Sequence, residues 1–407
     1  MRGMPGTATA CCKPSRRTDR GVPCDGNAVR PAMTILALFS CVAWLVLLVF
    51  WGGFWRADQR LTRVSTPLAW PEVAILIPAR NEAQTLGEVL HSHLVSTYPG
   101  KHTLIVTDDH SEDGTGDIAR SVGTNVILAK SLPEGWSGKL WALHNALEQA
   151  DQIAPQAEYL LLTDADIIHD QTTLQRLVAK AQADELDLVS LMARLDARGL
   201  WGALLIPAFI FFFQKRYPFP WVNRHGFPLA AAAGGCILVR RGALSRIGDF
   251  PAIRDALIDD CALAARIKRT GGRIWLGLAD TEVVSLRDNR NFWSVWTMVR
   301  RTAFTQLRHS MSLLVLAVLG MAFLYLVPVL TFFIGVWTAD GTSVLAGTLG
   351  WALMAIAYWP TLQLYGRPWW HSYALPLAAA LYTAMTVASG RAHVRGKGGA
   401  WKGRTYG

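Results

Sequence analysis

At 407 residues the chain is long enough for two or three domains. Apolar residues make up 51% of it and Asp, Glu, Lys and Arg only 17%, against about 25% charged in ordinary soluble domains, which excludes disordered, collagen-like and coiled-coil classes. The 40 Lys/Arg against 30 Asp/Glu leave +10, of which +4 falls in residues 1–32 and +5 in 391–407. A nucleic-acid binder carries its basic stripe on a folded domain, so no nucleic-acid partner is expected.

Residues 1–32 are polar and patternless and read as a disordered leader, with Met33 as a natural alternative start. Cys11, Cys12 and Cys24 fall in this leader. With Cys41, Cys236 and Cys261 they form no C-x-x-C pair, so neither a zinc site nor a disulfide framework is expected. Residues 33–55 carry no charge and are long enough to span a bilayer. No small-residue cleavage site follows, and Arg56, Arg60 and Arg63 do, which marks a retained anchor with the next segment cytoplasmic.

Residues 56–310 alternate between strand and helix patterns. VAILIPAR (73–80), TLIVTDD (103–109), NVILAK (125–130) and YLLLTDAD (159–166) are apolar runs that end in polar turns, with helical patterns at 82–96, 112–121 and 138–150 between them. This order predicts an α/β domain whose mostly parallel sheet is covered on both faces, with ligands gathering at the carboxyl ends of the strands. Asn81-Glu82, Asp108-Asp109 and Asp164-Ala165-Asp166 stand at three such ends.

Asp164 and Asp166 form D-x-D after a buried strand. Two carboxylates one residue apart suit a hard divalent cation, Mg²⁺ or Mn²⁺, shared with phosphate oxygens and water; an accidental loop pair is the plain alternative. Asp109, and with it Asp108, can accept from a nucleobase N–H or a ribose hydroxyl, while Ser111 and Asp113 read as helix caps. Lys139 lies near a helix start behind Gly135 and Gly138, where backbone can approach a phosphate. The P-loop spacing is incomplete there, and a plain exposed lysine is the other reading. Asp259 and Asp260 open an amphipathic segment; acids at a helix start balance its dipole, and Asp260 can also serve as a general base. Arg300, Arg301 and Arg308 lie along 291–309, able to offset a departing diphosphate or to meet anionic lipid. Residues 71–170 carry −10 and 231–311 carry +6, an asymmetry that fits a cation site followed by an anion-handling surface.

The aromatic run at 200–221, broken by Pro207 and ended by Lys215-Arg216, reads as an interfacial helix, with a buried core helix as the alternative. Residues 311–390 hold only Asp340 and Arg367 as formal charges and read as three spans, at about 312–336, 343–363 and 371–390. Three spans would put the basic tail at 391–407 on the outer side, against the positive-inside rule, unless one segment is re-entrant.

In order, IPARNE (77–82), DDHSEDGT (108–115), GKLWALHNAL (138–147), TDAD (163–166), AGGCILVRR (233–241) and IDDCALAARI (258–267) resemble glycosyltransferase family 2 in its membrane-bound branch. GWSGKLWAL, LLIPAFIFFFQ and RTAFTQLRHS look most like the bacterial hopene-associated glycosyltransferases. The resemblance implies a GT-A fold and inverting transfer of a sugar from a nucleoside-diphosphate sugar. Ala79, Asn81, Glu82 and Asp108 or Asp109 would line the nucleoside pocket, with Lys139 and Asp164 near the diphosphate. Asp166, with Asp164, would hold the metal. Asp260 falls at the catalytic base, beside Asp259, and Arg301 on the leaving group's side. Gly234 and Gly235 would border the acceptor. The family's T-E-D is I-D-D here, and its Q-x-x-R-W is not intact, which argues for a single transfer to a lipid, hopanoid-related or a polyprenyl carrier, over processive synthesis. The expectation is a multi-pass inner-membrane enzyme with a cytoplasmic catalytic domain. A non-catalytic scaffold of a lipid-synthesis complex and a nucleotidyl- or phosphotransferase are the competing classes.

Overall fold

The structure is a computed structural model that describes residues 26–62, 67, 69–395, 400, 401, 404 and 405. The expected leader through residue 25, Arg63 of the arginine cluster, and most of the basic tail past 395 lie outside the described residues.

The chain enters through helix α1 (Gly26–Phe50), which begins ahead of the apolar run expected from Met33. The α/β domain then runs β1 (Val73–Ala79), α2 (Leu86–Leu94), β2 (His102–Asp108), α3 (Thr115–Ser121), β3 (Asn125–Leu128), α4 (Gly138–Ile153), β4 (Tyr159–Thr163), β5 (Ile167–His169), α5 (Thr173–Ala183) and β6 (Leu188–Met192). It continues through α6 (Gly199–Arg216), α7 (Phe219–Val222), β7 (Cys236–Arg240), α8 (Arg241–Arg246), α9 (Asp259–Arg269), β8 (Ile274–Leu278), β9 (Val283–Ser285) and α10 (Phe292–Gln306). Then come α11 (Met311–Met321), α12 (Val327–Trp337), α13 (Gly341–Leu364) and α14 (Leu375–Val394).

The main sheet has seven strands in the order β3-β2-β1-β4-β7-β6-β8. All pairs are parallel except those of β7, which runs against β4 and β6. A strand buried on both faces is apolar whichever way it points, so direction is invisible in its pattern. Every residue of β1 is buried, and the pleat sends alternate residues to opposite faces. Val73, Ile75, Ile77 and Ala79 pack toward α2 and α5, while Ala74 and Leu76 join a core shared with α4, α6 and α9. Pro78 is tolerated in this central strand because the pairing with β4 stops at Leu76. A separate antiparallel pair, β5 with β9, sits beyond the end of β4.

The second core does not stop at the domain. It runs on without a break through α6 to Tyr325, Met354, Tyr358, Tyr382 and Met385 of the C-terminal helices. Among the described residues three helices are long and apolar enough to cross a membrane: Pro31–Phe50, Met311–Trp337 and Gly341–Leu364. The span 311–337 is continuous through a π-helical turn at Ala322–Leu326. Asp340, the lone acid of this region, caps α13 by accepting from the Thr342 N–H.

The third C-terminal span expected at 371–390 is not among the three. Its chain starts with a 3-10 turn at Trp369–Ala374, whose Tyr373 carbonyl accepts from Trp351 Nε1 partway along α13. Helix α14 then runs antiparallel to α11: Tyr382 and Met321 line one cavity, and Gly390 meets Leu314. The segment therefore enters beside α13 and returns along α11 to α10, where the Ser389 hydroxyl donates to the Arg300 carbonyl at 2.6 Å. Helix α6 also departs from the interfacial expectation. It passes straight through Pro207 and is largely buried between the sheet and the membrane helices.

Candidate active site

Asp164 follows the last residue of β4, and Asp166 precedes β5. The turn is pinned at both ends: Ile167 N–H donates to the Asp164 carbonyl, and Leu286 N–H, just past β9, donates to that of Asp166 at 2.8 Å. Both carboxylates thus face the same rim, which the D-x-D spacing alone leaves open.

Helix α4 starts at Gly138 because Ser137 caps it, and this carries Lys139 to the same rim. The Lys139 ammonium lies 2.7 Å from Asp164 Oδ1 and 3.5 Å from Asp259 Oδ2. Burial works against its charge, yet the carboxylates of Asp164 and Asp259 prevail and hold Lys139 above the usual lysine range. It is a paired cation, not the exposed lysine of the plain reading.

Asp259 and Asp260 form the first turn of α9, but neither is its cap, which is Ile258. Asp260 accepts from the Gly234 N–H at 2.8 Å and from the Cys261 N–H at 2.7 Å. Burial and the neighbouring charge of Asp259 push Asp260 up to about 7 against these contacts. Gly234 is needed for this approach: a Cβ there would lie 3.2 Å from Lys139 Nζ and 3.3 Å from Asp260 Oδ2. A Cβ on Gly235 would lie 3.2 Å from Ile167.

One cavity of about 570 Å³ gathers these groups. Glu82, Lys139, Asp164, Asp166, Gly234, Gly235, Asp259, Asp260 and Arg301 all line it. Ala79, Asn81, Asp108 and Asp109 do not; they stand at the adjoining ends of β1 and β2. Asp108 braces its turn by accepting from the Ser111 N–H at 2.9 Å, and Asp109 N–H donates to the Ala79 carbonyl. Asn81 has φ 53° and accepts from the Glu112 N–H, tying the two strand ends together.

Of the two adjacent arginines in α10, Arg301 turns into the cavity and Arg300 is exposed. Burial, with the like charge of Arg287, pulls Arg301 down. Several lining residues are not among the expected site residues. Arg287 follows β9 and lies 3.5 Å from Asp166 Oδ2. Arg80 donates to the Asp109 carbonyl. Tyr217, just after α6, donates to Gln306 Oε1 at 2.7 Å, joining α6 to α10. Arg80 lies within IPARNE but without an expected role; Arg287 and Tyr217 belong to no motif, and only their arrival at one rim marks them.

The D-x-D pair suits a divalent cation. Burial and the charge of Asp164 raise Asp166 to about 6, so negative charge is crowded there despite Arg287. Two hard oxygen donors fit Mg²⁺ or Mn²⁺ when phosphate oxygens and water supply the rest. Among the described residues no group of three or more His, Cys, Asp or Glu is arranged to hold a metal alone.

The helices line the cavity with mostly apolar side chains. Phe209, Phe212 and Phe213 of α6, Met298 of α10, Val318 and Met321 of α11 and Tyr382 of α14 line it. The carboxylate rim and the membrane helices share a single space.

A mixed α/β sheet with carboxylates at its strand ends defines a GT-A-like fold. The fold matches that of a mannosyltransferase from Pyrobaculum calidifontis, solved with GDP-Man and Mn²⁺, with TM-score 0.51 and 20% identity over 89% of this chain and 99% of that one. The sequence pattern described as glycosyltransferase like family 2 matches residues 71–312, and the chain belongs to that family. A probable glycosyltransferase of Bacillus subtilis, YdaM, is 24% identical over 237 residues, 56% of this chain and 53% of its own length. The 4,4'-diaponeurosporenoate glycosyltransferase of Staphylococcus aureus is 37% identical over 79 residues, 19% of this chain and 20% of its own. The chain thus spans about half, or less, of the curated relatives it matches.

Proposed function

We propose that the protein is a membrane-anchored inverting glycosyltransferase that moves a sugar from a nucleoside-diphosphate sugar to a lipid. The observation that carries this reading is the single cavity in which Asp164, Asp166, Asp259 and Asp260 meet apolar side chains of α6, α11 and α14. A water-soluble acceptor has no use for that apolar lining, whereas a lipid buries there. The name of the Staphylococcus relative supports an apolar acceptor. The likeness to hopene-associated enzymes supports a hopanoid-related one.

Asp164 and Asp166 would hold Mg²⁺ or Mn²⁺, which supplies charge neutralisation for a diphosphate. The nucleoside would lie across the ends of β1 and β2, against Ala79, Asn81, Glu82, Asp108 and Asp109. Lys139 orients the diphosphate side of the rim, and Arg301 and Arg287 face it as further positive charge. Asp260, held by the Gly234 and Cys261 N–H groups, takes the proton from the attacking hydroxyl. Its pKa near 7 matches a base working at neutral pH. Gly234 and Gly235 leave room for the acceptor beside it. The arginines that follow α1 favour a cytoplasmic catalytic domain at the inner membrane.

The test is purified full-length protein with labelled UDP- and GDP-sugars, Mn²⁺ and membrane lipid extract. Labelled lipid is expected, and Asp166→Ala and Asp260→Ala should abolish it. Retention of label transfer in both variants would overturn the roles given to Asp166 and Asp260, whereas no transfer in wild type together with full complementation of a deletion strain by both variants would establish a scaffold role instead. Transfer of a nucleoside monophosphate would make it a nucleotidyltransferase.

A further inference from the structure

At the membrane end of the cavity stands a cation that the chemistry above leaves unused. Lys215, next to last in α6, is partly buried and lines the cavity. Its ammonium donates to the Tyr325 hydroxyl at 2.7 Å. It lies 4.6 Å from the Tyr325 ring centre and 5.6 Å from that of Phe212. Among the described residues no carboxylate pairs with it, in contrast to Lys139. Burial alone acts on its pKa, pulling it down to about 7. An enclosed ammonium without a counter-ion costs stability unless something compensates.

The partner side is also unusual. Tyr325 is fully buried on the π-helical turn Ala322–Leu326, and such turns concentrate at functional sites. The turn leaves the Leu324 carbonyl to accept from Trp44 Nε1 of α1 at 2.9 Å. Two membrane helices and α6 therefore converge to hold a single tyrosine against a lysine that faces the cavity.

We propose that the acceptor is an acidic amphiphile, its phosphate or carboxylate seated against Lys215 and its apolar body among Phe212, Val318 and Met321. The proposal rests on the reading that a lipid acceptor enters this cavity. It adds that the lipid is selected by its charge, whether its body is polycyclic or linear. The apolar walls around Lys215 favour an anion carried on an apolar chain over a free ion, which would lose its hydration and gain only one cation.

The test compares matched probes that differ in charge alone. Full-length wild-type protein, Lys215→Met and Lys215→Arg in detergent are titrated with farnesyl phosphate, farnesol and inorganic phosphate, read by tryptophan fluorescence and thermal shift. Wild type should bind farnesyl phosphate at least about tenfold more tightly than farnesol; Lys215→Met should lose that preference, and Lys215→Arg should keep it. Equal affinity for farnesol, or a preference that survives in Lys215→Met, overturns the proposal. Saturation by inorganic phosphate at the same concentrations also overturns it, since the site would then be a free-anion site. Binding of UDP and GDP with Mn²⁺ is measured on the same samples. If it persists while the lipid preference fails, only this inference falls; if neither nucleotide binds and no lipid is labelled, the glycosyltransferase reading falls with it.

Discussion

Asp260 takes its character from the groups that the fold packs around it. Alone, it is an acid at a helix start; beside Asp259 and against Gly234 it becomes a carboxylate with a pKa near 7. In the proposed role of base it would work only deprotonated, so the rate should fall about tenfold per pH unit below its pKa and level off above it. Replacing Asp259 with Asn removes the neighbouring negative charge, lowers the pKa of Asp260 and extends activity to more acidic pH. A pH profile of kcat/KM that stays in place in Asp259→Asn would contradict this. Asp260→Asn should lower kcat by about 10²–10⁴, with donor affinity retained by calorimetry. Gly234→Ala sets a methyl 3.2 Å from Lys139 and 3.3 Å from Asp260. The flexible ends of both side chains can shift, so the melting temperature should hold while kcat drops at least about tenfold through misplacement of the base.

The elements divide in how far their order was legible in the chain. Strands β1, β2, β3 and β4 and helix α4 fall where apolar runs and a helical pattern put them. These signals are local, since a strand shows as a short apolar stretch and a helix as its own periodicity. The reversal of β7 and the return of the segment after Arg367 are set by long-range partners, and composition is blind to both. The hairpin of α12 and α13 depends on a close approach: a Cβ on Gly347 would collide with the Phe332 backbone nitrogen and lie 2.6 Å from the Pro328 carbonyl. Small residues at such crossings are what let membrane helices meet. Gly347→Leu should therefore cut the yield of monodisperse protein severalfold in fluorescence-detected size exclusion, whereas Gly341→Leu, whose Cβ meets nothing within 4 Å, should leave it unchanged.

For the molecule as a whole, the path of α14 bears on the conflict between three C-terminal spans and the positive-inside rule. Asp340 lies at the tip of the α12–α13 hairpin, and α14 returns to α10, whose Arg300 carbonyl meets Ser389. The tip should face the side opposite the catalytic domain, and the basic end should share the catalytic side. Alkaline phosphatase fused after Asp340 should be active and fused after Val394 inactive, with fluorescent-protein fusions giving the reverse. Phosphatase activity at both sites would mean that α14 crosses fully. The continuous core from the sheet through α6 to Met385 makes the catalytic and membrane parts one packed body.

Read along the chain, the family motifs, the polar clusters at the strand ends and the apolar membrane runs were legible, because each is a pattern within a few neighbouring residues. Folding resolved what depends on distant groups meeting. It turned Arg301 inward and its neighbour Arg300 outward, paired Lys139 with Asp164 and Asp259, and joined the carboxylate rim to the membrane helices in one cavity. Burial and electrostatic environment arise from contacts between separate segments, some of them, such as those of Lys139 and Asp259, more than a hundred residues apart, and no local pattern encodes them.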